Sequence, residues 1–409
     1  MSLAGCSLTG SSESSSVALG TVHVIAFTED GSPAEGADVV VHDADGQLVS
    51  RGKLAADGTA ELDSVANATV SVVIRFSGVL ADSGSITSFA SVPLDATLRF
   101  GTANPAIGAP IKVDVELPPI TPEPSSFIVD IGCGDLPFQH THSFQLAIPA
   151  GCATHPRTIL VKPFGAPSVS VLQGVDLVQA DVIQMPAFQE LQTVTVDVAG
   201  HDSANGVLFG STAVLNDGGS YNFIGDEGPT GHVATAVPPG PWQATRYKVL
   251  LPFLDRRPTR STELVRFEPG APQSVTIPEA DFLALPAADP YSSNPLAFTF
   301  EGTPDFRSVF LFYGHSIWNF VAPPGPDPIV LPEMPRDLKG FTPDAAPLES
   351  IEARIFDSSA IADYAAFLAS DLTVPGSSQA RTATPGVPAP GTTERFAFTM
   401  LLEEIVEPD

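Results

Sequence analysis

His140-Thr-His142 is the sharpest chemical signal in the chain. On a strand, residues two apart share a face, so both imidazoles can meet one ion. Asp135 or His155 would complete a tetrahedral zinc site, and a metal-dependent hydrolase is the reaction class that follows. No Glu-containing metalloenzyme signature accompanies the pair, so surface-strand histidines are the preferred reading. Asp43-Ala-Asp45-Gly46 has the spacing of half a calcium loop, but Leu54 stands where the twelfth-position Glu belongs, which leaves a turn. Asp217-Gly-Gly219 and Asp226-Glu227-Gly228 offer only loose oxygen ligands for a cation. Neither a Gly-x-Ser-x-Gly elbow nor a Walker-type loop is present. The expectation is a chain with no catalytic residues, no resident metal and no cofactor.

Aromatic side chains are the second source of chemistry. Trp242 with Tyr247, and Phe310, Phe312, Tyr313 and Trp318, have the composition of a sugar-stacking platform. Residues 308–313 are apolar on both faces, however, which marks a buried central strand, so core packing is preferred. Arg256-Arg257-Pro258-Thr259-Arg260 is a local basic spot, read as a hairpin tip near Asp255 and Glu263.

The scaffold that must position these groups is legible in composition. The 409 residues hold 40 Pro and 34 Gly, with 43% hydrophobic side chains, which fits many short strands joined by turns. A formal charge of −28 disfavours nucleic acid and anionic lipid surfaces as partners, since both demand a positive field, and leaves cationic partners and divalent metals open. No apolar run of membrane-spanning length occurs. Short alternating segments recur from residue 20 onward, separated by Asp30-Gly31, Asp45-Gly46 and Asp57-Gly58, where Gly takes positive φ. The fold expected is all-β: a tandem array of antiparallel sandwiches of Ig or prealbumin-like type. One short helix is expected over 359–372, with Ile361, Tyr364, Ala365 and Leu368 on one face and Ser358 or Ser359 as its cap.

Three joints of the form strand, Pro, link, strand suggest the boundaries. Val113–Pro118 leads to Phe127, Asp181–Pro186 to Val194, and Ser274–Pro278 to Leu296. They divide the chain into a tether (1–19) and modules at 20–118, 119–187, 188–280 and 281–409.

Two stretches resemble known families. Leu3-Ala4-Gly5-Cys6, followed by a Ser-rich run, resembles the lipobox of bacterial lipoproteins. That resemblance implies a lipid on Cys6, a membrane partner through that anchor, and a place in the bacterial cell envelope at the outer membrane or cell surface. It also implies a basic and apolar signal segment encoded upstream of Met1. With Cys6 lipidated, Cys133 and Cys152 remain as one disulfide pair. Gly31-Ser-Pro33, Gly36–Val41, Asp45-Gly46 and Asp57–Leu62 resemble the prealbumin-like, carboxypeptidase-regulatory-like modules of bacterial surface proteins, over about Val22 to Arg75. That family implies a spacer without catalysis. The function expected is a non-enzymatic, lipid-anchored surface scaffold or binding protein. An adhesin-like or glycan-binding protein using the last two modules is the alternative, and a hydrolase at His140 and His142 ranks last.

Overall fold

Alternation does the local work. In Leu19–Ala26, Val22, Val24 and Ala26 are fully buried while the residues between them are not, the period of a strand with one face on a core. The computed structural model describes residues 19–402 except 29–30, 77–82, 102–109, 133–137, 154–155, 202–206, 217–218, 229–230, 254–258, 289–295, 297, 344–347 and 371–388. Its elements are almost all strands, as the turn-rich composition predicts. Among the described residues no helix is long and apolar enough to cross a membrane.

One strand plan repeats. In the first module, Leu19–Ala26 lies between Thr59–Val65, antiparallel, and Thr97–Phe100, parallel. The facing sheet runs Leu48–Lys53, Asp38–His42, Ala68–Arg75, Gly84–Val92. Counted along the chain, these sheets are 4-1-7 and 3-2-5-6. The third module has the same order: Gln192–Ala199 sits between His232–Val237 and Ser274–Pro278. Its facing sheet is Gly219–Gly228, Leu208–Asn216, Ala244–Phe253, Thr259–Pro269. The fourth keeps 3-2-5-6 as Ser316–Ala322, Phe306–Tyr313, Leu348–Ser358, Thr393–Leu402, with the Leu296–Ile329 bridge in the 1–4 position.

The second module shows where the sequence reading must be corrected. Ile111–Glu116, expected to close the first module, instead opens the second, between Ser143–Ile148 and Val182–Gln184. The boundary at 118 therefore falls inside this module, and the joint from Val113 to Phe127 links its first two strands. The facing sheet holds Phe127–Asp130, Arg157–Pro163 and Ser168–Val175. This is 2-5-6, extended beyond the sixth strand by Gln189–Glu190, and no described strand takes the third position. First and seventh strands are neighbours in one sheet and alternate alike, so periodicity alone does not tell them apart.

The modules are welded. Thr259–Pro269 pairs with Thr393–Leu402, and Ser316–Ala322 pairs in parallel with Gly84–Val92. The facing sheets of the third, fourth and first modules thus form one 12-stranded sheet. Pairing hides edges that would otherwise template aggregation. The core side of the fourth module continues into the outer side of the first, where Val40, Val73 and Ile86 pack with Leu311, Trp318 and Phe320. Ile329, Leu331, Met334, Leu338 and Phe341 cover them. Val39, Val41, Val72 and Phe89 point the other way, toward Phe306, Val321 and Phe356. Asp38–His42 is consequently buried at every position, which accounts for its unbroken Val run. The second module docks on the third through Leu160 and Val169. There the Tyr221 hydroxyl and Asn216 Nδ2 donate to the backbone and side chain of Thr158, at 2.9 and 3.0 Å.

The helix spans Tyr364–Ala369, shorter than expected, and Asp363 rather than Ser358 or Ser359 caps it, accepting from the Ala366 N–H at 2.8 Å. Tyr364, Phe367 and Leu368 face the first core.

Candidate functional site

Each chemically suggestive residue has a definite place. His140 is exposed, with Nδ1 3.2 Å from the Ser125 carbonyl oxygen. His142 Nε2 lies 3.8 Å from Glu123 Oε1, and its ring meets Phe127 edge-on at 5.1 Å. The two imidazoles belong to a bend before Ser143–Ile148 instead of a strand, and they engage different partners. Asp135 and His155 lie outside the described residues. Among those described, no three His, Cys, Asp or Glu side chains are grouped to hold a metal ion. Asp43 accepts from the N–H groups of Asp45 and Gln47 at 3.0 and 2.8 Å, so the calcium-like spacing forms a side-chain-capped turn. Asp217 and residues 254–258 lie outside the described set, as do the side chains of Asp226 and Glu227. Glu263 pairs with Lys248 at 2.5 Å.

Cys6 and Cys133 are also outside it. Cys152 is wholly buried in the second core, beside Ile131, Ile148 and Ile159.

Of the stacking candidates, Trp242, Tyr247, Tyr313 and Trp318 are core. Phe310 lies beneath the Arg354 guanidinium, whose carbon is 3.5 Å from the ring centroid. Only Phe312 remains half-buried. The sequence reading missed Phe138 and Phe164, which are 56% and 57% exposed and meet edge-to-face at 6.3 Å. A signal existed: Pro137-Phe138 and Phe164-Gly165 set large apolar rings in turn contexts, where no core is at hand.

Two buried carboxylates, Asp38 and Glu352, are each held by an arginine. Arg51 donates to Asp38 at 2.7 Å and makes a two-pronged contact with Asp337, clamping the first module to the fourth. That guanidinium holds the Asp337 carboxyl down to about 2. Arg354 and Glu352, both nearly inaccessible, form a second two-pronged pair.

Asp305 is tuned oppositely. Burial pushes its carboxyl up to about 6, although the Ser358 N–H donates to it at 2.7 Å and opposes the shift. An acid whose folded pKa exceeds the unfolded value of about 3.9 binds more protons when folded, so it costs stability as pH rises from about 4 through 6. Asp305→Asn keeps an acceptor for Ser358. It is expected to melt higher than wild type at pH 8, with the difference vanishing near pH 4. Thermal melts at both pH values check this; a difference independent of pH contradicts it.

No protein-family model matches this chain, and no curated protein does. Solved structures that match include the Bacillus anthracis TIE protein (11% identity, 64% of this chain and 49% of that one, TM-score 0.16). A streptococcal ancillary pilin matches at 13% identity, over 56% of this chain and 89% of that one, TM-score 0.14. BcpA, the major pilin subunit of Bacillus cereus, matches at 9%, over 64% and 98%, TM-score 0.16. The chain spans about half the length of the Bacillus anthracis protein. At such identities and TM-scores these likenesses say nothing of activity, and the sandwich assignment rests on the strand pairing.

Proposed function

We propose that this chain is a non-enzymatic, lipid-anchored scaffold of the bacterial cell envelope, displaying loop ends from a stiff body. The observation that supports the scaffold reading is the 12-stranded sheet running through three modules. Backbone pairing across both joints removes the hinge freedom expected of beads on a string. Arg51, which also pairs with buried Asp38, ties the first module to Asp337 of the fourth. The anchor rests on Leu3–Cys6 and on the cysteine count, which leaves Cys133 and Cys152 as a disulfide pair.

The test is metabolic labelling with a palmitate analogue in cells expressing the chain with its upstream coding sequence. Wild type is expected to take label and sediment with membranes, and Cys6→Ser to lose both. Native alkylation without reductant should leave Cys133 and Cys152 unmodified. Equal fractionation of wild type and Cys6→Ser would overturn the anchor.

A further inference from the structure

The connection between the second and fourth strands of the second module holds no described strand where the first, third and fourth modules place a third. That connection carries Phe138. Phe164 sits in the turn between the fifth and sixth strands. Both rings are more than half exposed, and they touch. Scattered apolar residues on a surface are ordinary; two bulky rings held together on a loop end point to a contact surface.

The pair is preorganised. Phe127 and Gln139 exchange two backbone hydrogen bonds of 2.7 and 2.9 Å, and the Phe164 N–H donates to Ser126 O at 2.8 Å. The two loops are thereby tied to the same stretch of chain. His140 stands beside Gln139. With Nδ1–H donating to the Ser125 carbonyl, the neutral imidazole presents Nε2 as an acceptor. Glu123, whose side chain is 79% exposed, adds a carboxylate at this end.

The chain itself shows what its phenylalanines accept. Arg75 lies over Phe341 at 5.2 Å, Arg307 over Phe298 at 5.7 Å, Arg354 over Phe310 at 3.5 Å and Lys162 over Phe223 at 4.8 Å. With a net charge of −28 the molecule draws basic partners toward it. We propose that Phe138 and Phe164 form a stacking clamp for an arginine side chain on a basic segment of a protein partner, with His140 Nε2 accepting a guanidinium N–H. This gives the proposed scaffold a partner chemistry, yet it can be tested on purified protein without the anchor. A neutral saccharide would gain the ring contact but nothing from the field.

The experiment is a fluorescence anisotropy titration with labelled nona-arginine and nona-lysine, which carry equal charge. Arginine's planar group stacks on rings better than an ammonium does. Nona-arginine is expected to bind about fivefold more tightly than nona-lysine, and both to weaken with salt. Phe138→Leu with Phe164→Leu retains apolar bulk and removes the π faces. It should weaken nona-arginine about tenfold and abolish the preference over nona-lysine, with the melting temperature unchanged. Wild-type-like binding by the double variant overturns the clamp, as does equal binding of the two peptides by wild type. Competition at these rings by maltoheptaose, without any arginine preference, overturns it in favour of a saccharide site. Loss of membrane labelling in Cys6→Ser bears only on the anchor.

Discussion

Trp318→Ala is expected to destabilise the first and fourth modules together, by about 3–5 kcal/mol, the range for emptying a large aromatic site in a core. Trp318 is 2% exposed on Ser316–Ala322, the strand of the fourth module that pairs with Gly84–Val92 of the first. Its indole Nε1–H donates to Ser88 Oγ at 2.9 Å, and that hydroxyl shares a 2.7 Å hydrogen bond with Ser71 Oγ. The ring fills the cluster that also holds Val40, Val73 and Ile86. Truncation removes packing from both modules at once and strips one partner from a buried hydroxyl. Trp318→Phe keeps most of the ring and loses the donor, so about 1–2 kcal/mol is expected. A chain of four modules need not unfold in one step. The appropriate readout is amide hydrogen exchange in Ala68–Arg75 and in Leu348–Ser358. Both segments should lose protection by the same factor. Unchanged protection in Ala68–Arg75 would mean that the joint is a contact between independent domains.

Strands and turns were legible because their causes are local. Asp57-Gly58 is an example: Gly58 has φ +76, and a Cβ there would stand 2.5 Å from the Ala26 carbonyl oxygen, so the turn demands glycine. Residues 308–313, apolar on both faces, were read correctly as a buried central strand; Phe306–Tyr313 lies between Ser316–Ala322 and Leu348–Ser358. What covers the second face was not legible. Edge strands such as Gly84–Val92 and Thr393–Leu402 carry no sequence mark naming the distant strand they join, since backbone pairing is independent of side-chain identity. The same limit misplaced Ile111–Glu116, whose pairing partners lie about 30 and 70 residues downstream. Tyr364 and Leu368 face the core as the helical period predicts, but Ala365 is exposed and Phe367 takes its place, and the helix is shorter because Asp363 caps later than Ser359. Composition points to contact aromatics in the last two modules, which are richest in rings. Those rings are mostly core, and the exposed pair sits in turns of the second module, where only the mismatch between residue type and context revealed it.

Arg354→Ala should cost about 3–5 kcal/mol, the range for removing one partner of a buried ion pair. Leu348–Ser358 runs through the middle of the fourth module's sheet. Arg354 and Glu352, two apart, share the face opposite Ile351, Ala353 and Ile355. The guanidinium donates to Glu352 Oε1 at 2.6 Å and Oε2 at 2.8 Å while stacking on Phe310. Without it, Glu352, 4% exposed, keeps a carboxylate in a site with little water. The cost comes from the charge left behind, so replacing both partners should behave differently. Glu352→Leu with Arg354→Met, similar in volume and apolar, is expected within about 1 kcal/mol of wild type or above it. Denaturant titrations of the two single variants and the double variant give the coupling directly. An Arg354→Ala change below about 1 kcal/mol would place the pair effectively in water. A double variant as poor as the singles would mean that the pair itself supplies stability. With the expected result, the pair's remaining role is to fix register: Arg354 faces Ser308 and Phe398 across the neighbouring strands. A one-residue slip would carry both charges to the opposite face, into the cluster of Val309, Leu311 and Ile355.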